Sequence, residues 1–176
     1  MAEVLLRHHL QEAGVAAHVS SAGLYQGGRP ATAHGVETMA DRGLDLQDHC
    51  SQQLDADMVA QADLVIAMAR EHVREAVVLR HDALAKTFTL KELVRGADVI
   101  GARTADEPLA DWLARISASR SRGSLVGVGY DEQLDVDDPV GRDRKAYEVT
   151  ADLLDDLLAA VVELALSADR EQERTA

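Results

Sequence analysis

Apolar residues recur at helical spacing along much of the chain, beginning with its first segment. Over residues 1–13 the positions three or four apart are apolar, and Gly14 follows where a C-cap glycine would stand. The same spacing predicts a helix over residues 151–165, near the end of the chain. Further helices are predicted over residues 31–42, 55–62, 70–79 and 106–119, and from Leu90 onward.

Three short segments between these helices predict strands. Residues 64–68, Leu-Val-Ile-Ala-Met, form a continuous apolar run, which is typical of a strand buried on both faces of a parallel sheet. Residues 87–89, Thr-Phe-Thr, and residues 16–20, which contain Val19, are the other two candidates. Because strands alternate with helices, the pattern predicts an α/β fold with a mostly parallel sheet.

Composition and charge limit the classes of partner that the chain is expected to bind. Its 176 residues fit one domain, predicted over residues 1–166, with a charged flexible tail over residues 167–176. The net charge of −13 and the 3% aromatic content argue against nucleic acid and anionic membranes as partners. A single cysteine, Cys50, forbids an internal disulfide and indicates a reducing compartment, so a cytoplasmic location is expected.

No cofactor or metal site is predicted from the motifs. Phosphate-binding glycine loops are absent, and the seven histidines lack the spacing of metal ligands. Cys50 follows His49, a pairing that would suit an activated thiolate. Adjacent side chains on an extended segment point apart, however, and no turn glycines frame the pair. Cys50 is therefore predicted to be a plain thiol.

A cluster of carboxylates stands out late in the chain. Asp135, Asp137 and Asp138 precede Pro139, and a carboxylic acid in such a cluster can serve as a general acid. The same residues can equally form a solvated acidic turn in which Pro139 fixes the backbone. The residues alone leave both interpretations open.

Five stretches, taken in order, resemble low molecular weight protein-tyrosine phosphatases. They are the opening Met-Ala-Glu helix, Val-Ser-Ser-Ala-Gly at 19–23, the segment from Arg29-Pro30 to His49-Cys50-Ser51, the apolar run at 62–68 and Asp-Val-Asp-Asp-Pro at 135–139. The likeness extends from Met1 to about Leu166, with residues 95–130 read as an insertion. It implies a doubly wound, mostly parallel sheet of about four strands with helices on both faces.

The resemblance also implies a metal-free, two-step hydrolysis of a phosphorylated protein or a small phosphomonoester. In the family a Cys thiolate attacks phosphorus, while loop amides and an Arg six residues after that Cys hold the phosphate at a helix N-terminus. Asp138, directly before Pro139, matches the general acid. Ser21 matches a serine that supports the phosphate loop, and Glu3 and His49 match a pair that ties the first helix to the neighbouring loop.

The sequence departs from the family at the nucleophile. The family's Cys/Arg loop precedes the Met-Ala-Glu helix directly, and six residues after Cys50 stands Ala56 rather than Arg. The family's first strand and nucleophile loop are therefore expected to be missing, and this chain is predicted to be inactive by itself. A start codon assigned too late would explain this. Alternatives are a catalytically dead pseudophosphatase or interaction module and, less favoured because it needs a relay of thiols, an arsenate reductase-like protein.

The residues after the Asp-Pro pair bear on the substrate. Phosphotyrosine enzymes often carry aromatic residues there, which wall the slot for the phenyl ring, whereas Val140 and Gly141 follow Pro139 here. Tyr25 and Tyr147 are the aromatic residues that could contribute to such a wall. The oligomeric state is left open by the sequence.

Overall fold

Helices dominate the part of the chain that the computed structural model describes, residues 1–120 and 132–166. Two parallel strands accompany them, β1 (Val65–Ala67) and β2 (Thr87–Thr89). Short 3-10 turns occupy His81–Lys86 and Glu132–Leu134, and a π-helical turn occupies Val162–Leu166. The α-helices are α1 (Ala2–Ala13), α2 (Ala33–Ala40), α3 (Ala56–Gln61), α4 (Arg70–Leu79), α5 (Leu90–Ile100), α6 (Leu109–Ala118) and α7 (Arg144–Val161).

The chain divides into two units that are described separately. Unit 1 contains Met1–Leu54 and Asp137–Val162, and unit 2 contains Asp55–Val136 and the residues from Glu163 onward. The end of the predicted insertion, from residue 121 to residue 130, and the predicted tail over 167–176 lie outside the described residues. Among the described helices, none combines the length and the apolar character needed to cross a bilayer.

Unit 1 is built on α7, against which both α1 and α2 pack. Apolar side chains at helical spacing line these contacts and are buried, namely Leu5, Leu10, Met39, Leu154 and Leu158. The predicted end of α1 is confirmed, because Gly14 adopts a left-handed conformation with φ of 66°. At the start of α7 the Asp143 side chain accepts the N–H of Ala146 and so caps the helix.

The strand predicted at residues 16–20 is not formed. No described strand pairs with this extended segment, and the carbonyl of Val19 instead accepts a hydrogen bond from the Arg7 guanidinium at 3.1 Å. The nearest sheet-like contacts are isolated bridges, Gly23 with Gln53 and Pro30 with Cys50. The prediction was wrong because a strand needs a hydrogen-bonded neighbour, which local sequence does not supply.

Unit 2 contains the parallel strand pair, in the register Val65↔Thr87, Ile66↔Phe88 and Ala67↔Thr89. All three residues of β2 are buried, whereas Val65 and Ile66 of β1 are only half-buried. The prediction that residues 64–68 form the fully buried strand was therefore wrong. The reason is that α4, α5 and the His81–Lys86 turn all contact β2, while the main helical contact of β1 is with α4.

Two close packings stabilise unit 2 further. A Cβ on Gly96 of α5 would lie 2.5 Å from Ile116 Cγ2 of α6, so glycine permits the close approach of these helices. The Arg120 guanidinium, almost fully buried, lies 4.1 Å from the centroid of the Phe88 ring and 3.0 Å from Glu92 Oε1. Helices packed on a parallel strand pair make this an α/β fold, as the sequence predicted.

Candidate active site

The short loop that leads into α7 carries the predicted general acid, Asp138. This residue is exposed, and the Pro139 that follows it is buried. The carbonyl of Pro139 accepts the N–H of Arg142 at 2.9 Å, and Gly141 has a φ of +80°. Because every described residue with a positive φ is a glycine, Val140 has a negative φ, and these four residues form a type II turn. Asp138 thus stands directly before a fixed bend of the chain.

The carboxylate of Asp138 uses its two oxygens differently. Oδ1 accepts the backbone N–H of Val140 at 2.9 Å, which is a local turn typical of Asp. Within residues 1–120 and 132–166, no donor contacts Oδ2. One oxygen therefore fixes the orientation of the side chain, and the other is available to exchange a proton with a ligand.

The other carboxylates of the cluster have different roles. Asp137 is exposed, with Oδ2 3.7 Å from the guanidinium of Arg142, and its carbonyl accepts the Thr150 hydroxyl of α7 at 3.4 Å. Asp135 belongs to unit 2, where Oδ1 accepts the N–H of Arg70 at 3.0 Å and satisfies a free donor at the start of α4. Asp135 is thus a helix-capping residue, whereas Asp138 is the carboxylate that directly precedes Pro139 and accepts a hydrogen bond from the backbone of its own turn.

Glu3, in the first turn of α1, is the centre of a second polar group, which we term the Glu3 cluster (Glu3, Arg7, Ser21 and His49). The Ser21 hydroxyl donates to Glu3 Oε2 at 2.5 Å, and Arg7 Nη2 donates to Oε1 at 2.5 Å. His49 Nδ1 lies 3.8 Å from Oε2. The structure therefore brings together three residues that the sequence singled out, and it adds Arg7.

The Glu3 carboxyl is held in its ionised form. Partial burial acts to raise its pKa, but the hydrogen bonds from Ser21 and Arg7 and the positive charges of Arg7 and His49 outweigh that effect. The net result is a pKa below the ordinary value of 4.5. A negative charge in the first turn of α1 also interacts favourably with the positive end of the helix dipole. Glu3 is thus a permanent acceptor that orients the Ser21 hydroxyl.

The remaining candidate residues from the sequence, Cys50, Tyr147 and Tyr25, differ in their exposure. Cys50 is an exposed free thiol on the bridge with Pro30. Tyr147 is 4% exposed and its ring packs edge-on against His34, so it is a core residue and the suggestion that it walls an aromatic slot was wrong. Tyr25 is 84% exposed and stays available for contact with a ligand.

Two features of this region were missed from sequence although both left a signal there. Glu3 and Arg7 stand at i and i+4, a spacing typical of helix ion pairs. Gly141 is the third residue of the turn that begins at Pro139, the position where a type II turn favours glycine. Across residues 1–120 and 132–166, no group of three or more His, Cys, Asp or Glu side chains is arranged to hold a metal ion.

Known proteins that this chain resembles include a probable low molecular weight protein-tyrosine phosphatase and an arginine phosphatase. Residues 1–110 match the family model for low molecular weight phosphotyrosine protein phosphatase, a range that ends before Asp138. The chain is 32% identical over 149 residues to the probable low molecular weight protein-tyrosine-phosphatase EpsP of Ralstonia solanacearum, covering 84% of this chain and 74% of that protein. It is 34% identical over 98 residues to the protein-arginine-phosphatase of Bacillus subtilis (strain 168), covering 55% and 65% of the two chains.

Solved structures agree with these sequence matches. A mutant of the YwlE arginine phosphatase with a phosphorylated active site serine superposes with a TM-score of 0.70 at 27% identity, covering 97% of this chain and 88% of that one. The α/β fold of the chain is thus the fold of these phosphatases. The chain belongs to the low molecular weight phosphotyrosine protein phosphatase family.

Proposed function

We propose that Asp138 is the general acid of a phosphatase site in this chain. Asp138 would protonate the leaving group as phosphate is transferred to a nucleophile, and would then take a proton from the hydrolytic water. The observation that carries this proposal is the geometry of the carboxylate on an exposed residue, with Oδ1 bound to the Val140 N–H and Oδ2 contacted by no described residue. The family to which the chain belongs gives that geometry its chemical meaning.

Ser21 is proposed to support the phosphate-binding loop. Its hydroxyl proton is committed to Glu3, so its oxygen lone pairs remain as acceptors for backbone N–H groups. Glu3 lies in the first turn of α1, the end of a helix that favours anions. In this arrangement the Glu3 cluster orients an acceptor beside the place where a phosphate would bind.

Cys50 receives no catalytic role in this proposal. It is the one cysteine among the 176 residues, Ala56 stands six residues after it, and it is exposed on a bridge with Pro30. A Cys/Arg loop of the family type is thus absent from residues 1–176, and without its thiolate no phosphoenzyme forms. The same fold without chemistry, as a pseudophosphatase or interaction module, is the alternative function.

The substrate class is proposed to be a phosphorylated protein. Phosphotyrosine is one candidate side chain, given the similarity to a probable tyrosine phosphatase. Phosphoarginine is the second, and a specific observation favours it. Val140, 64% exposed, follows Pro139 where an aromatic wall for a phenyl ring would be expected, and Tyr147 is buried. A guanidinium leaving group is not an aromatic ring and needs no such wall.

A reducing compartment is proposed for the protein, with the cytoplasm as the location. The exposed thiol of Cys50 is free, a state that reducing compartments maintain. Fractionation of cells followed by immunodetection would test this location.

Two experiments test the assignment of the site. The first is hydrolysis of p-nitrophenyl phosphate by residues 1–176 with Cys50→Ser as the matched variant. We expect no turnover that depends on Cys50, and measurable activity lost in Cys50→Ser would refute our assignment. The second is an in-frame reading of the codons upstream of Met1. A Val-Cys-x-x-Gly-Asn-x-Cys-Arg-Ser-Pro-like sequence supports the phosphatase, and an in-frame stop supports the inactive module.

The substrate proposal is tested with a form of the protein that carries a Cys-x₅-Arg loop ahead of Met1. Peptides bearing phosphotyrosine or phosphoarginine would be compared by kcat/KM. Val140→Phe would supply the aromatic wall, so it should raise the kcat/KM for phosphotyrosine relative to that for phosphoarginine. If Val140→Phe leaves the ratio of these two kcat/KM values unchanged, Val140 does not determine the substrate specificity.

A further inference from the structure

We propose that Gly141 is a positioning residue for Asp138. The type II turn that Gly141 permits holds the Val140 N–H against Oδ1, and it thereby assigns the proton-exchanging role to Oδ2. This inference rests on the proposed function of Asp138 and goes beyond it by naming the reacting atom and the residue that selects it.

Two hydrogen bonds share the segment from Asp138 to Arg142. The Arg142 N–H closes the turn on the carbonyl of Pro139 at 2.9 Å. Val140 lies inside that turn, where its own N–H is not needed to close it, and this N–H donates to Asp138 Oδ1 at 2.9 Å. The ring of Pro139 fixes the intervening φ. The orientation of the Asp138 side chain therefore depends on the turn.

Glycine is required at position 141 because of the backbone conformation there, and not because a side chain would lack space. At a φ of +80° an L side chain is strained, yet a Cβ built on Gly141 would meet nothing within 4 Å. A substitution at this position therefore acts on the turn alone, without a steric clash. Gly43, also in unit 1, has a φ of +73° and equally open surroundings, so it offers a matched control for backbone strain elsewhere.

The chemistry proposed for Asp138 follows from the different surroundings of its two carboxylate oxygens. A proton on Oδ1 would face the Val140 N–H donor, so the neutral acid carries its proton on Oδ2. In the first step, in a form that carries a Cys-x₅-Arg loop, the Cys thiolate bonds to phosphorus, the bond from phosphorus to the leaving atom breaks, and the Oδ2 proton goes to that atom. The carboxylate is then anionic, with Oδ1 still bound. In the second step water bonds to phosphorus, the bond from phosphorus to sulfur breaks, inorganic phosphate leaves, and a proton of the water goes to Oδ2, which restores the acid.

The test follows the amide of Val140 by NMR in ¹⁵N-labelled protein of residues 1–176, as the pH is lowered. In the parent protein this amide should shift as Asp138 gains its proton, and Asp138→Asn should abolish the shift. Gly141→Val should reduce the shift to the level of Asp138→Asn. Gly141→Asn should preserve it, because Asn tolerates positive φ far better than a β-branched residue. Gly43→Val should preserve it as well.

Each outcome decides the proposal without any measurement of activity. A full titration shift in Gly141→Val would overturn it, and so would loss of the shift in Gly43→Val, which would indicate a general response to strain. If Gly141→Val does not fold, Gly141→Ala replaces it, with a partial loss expected and an unchanged shift contradicting the proposal. Failure of Asp138 as an acid would appear only in hydrolysis, so the two failures are distinguishable.

Discussion

Glu3 and Asp138 are carboxylates of the same unit, and they differ in how many of their oxygens have a partner. This difference distinguishes a carboxylate that stabilises the fold from one that is able to react. Both oxygens of Glu3 are occupied, Oε1 by Arg7 and Oε2 by Ser21, with His49 nearby. Asp138 has one oxygen bound by the Val140 N–H and one that no described residue contacts. A carboxylate that is fully bonded stabilises the fold, whereas one that is oriented and still open can exchange a proton with a substrate.

The largest effect on stability should come from removing the Glu3 carboxylate. Glu3→Ala removes the carboxylate acceptor that Arg7 and Ser21 share, and Arg7 then keeps only the carbonyl of Val19 among its described acceptors. A hydrogen bond to a charged group contributes about 1.5–3 kcal/mol. We expect Glu3→Ala to lower the free energy of unfolding by about 2–3 kcal/mol, measured by urea denaturation. Asp138→Ala, the comparison variant, loses one exposed local bond and should cost about 1 kcal/mol or less. An equal loss of free energy of unfolding in Glu3→Ala and Asp138→Ala would contradict the distinction between the two carboxylates.

Lowering the pH should remove part of the stabilisation that the Glu3 carboxylate provides. Because the pKa of Glu3 is lower in the folded chain than its ordinary value of 4.5, Glu3 stabilises the fold above that pH. This stabilisation is lost as the pH falls through the folded pKa. The difference in free energy of unfolding between the parent protein and Glu3→Gln should therefore be constant near neutrality and shrink below pH 4.5. A difference that grows in acid would show that the pKa is shifted in the other direction.

Ser21 should have a smaller effect on stability than Glu3. Ser21→Ala removes one donor to the carboxylate while Arg7 remains bound, so we expect a loss of about 1 kcal/mol. Ser21→Thr, which keeps a hydroxyl, is the matched control and should recover most of that loss in thermal denaturation. A loss in Ser21→Ala as large as in Glu3→Ala would make Ser21, and not the carboxylate, the centre of the cluster.

Cys50 should matter least. Its thiol is exposed and free, so Cys50→Ser should change the free energy of unfolding by less than about 0.5 kcal/mol. The measurement is urea denaturation under reducing conditions. A clearly larger destabilisation would reveal a packing role that the bridge with Pro30 does not explain.

Strong local signals in the sequence predicted much of the fold. The helix over 70–79 and the strand over 87–89 have the predicted bounds, and Gly14 ends α1 as a glycine cap does. Apolar periodicity and glycine conformation are properties of neighbouring residues, so they can be read without the tertiary structure.

Features that depend on distant neighbours were harder to predict. Residues 16–20 lack the strand partner that their sequence needs, and the burial of β1 is set by which helices cover it. For the candidate site, the sequence singled out Glu3, Ser21, His49 and Asp138; the structure brings the first three together, and the roles of Ser21 and Asp138 stay predictions. The sequence did not show which oxygen of Asp138 is occupied, because that depends on the turn at Gly141.

The most direct test of the account is the leaving-group dependence of hydrolysis in Asp138→Asn. The protein would carry a Cys-x₅-Arg loop ahead of Met1, with Asp137→Asn as the matched control. We predict that Asp138→Asn lowers kcat/KM for phenyl phosphate by about 10²–10⁴-fold, since phenolate needs a proton to leave. The loss should be far smaller for 2,4-dinitrophenyl phosphate, whose leaving group does not need one, and Asp137→Asn should change neither rate. Equal losses on the two substrates, or no loss on phenyl phosphate, would contradict the assignment of Asp138 as the acid.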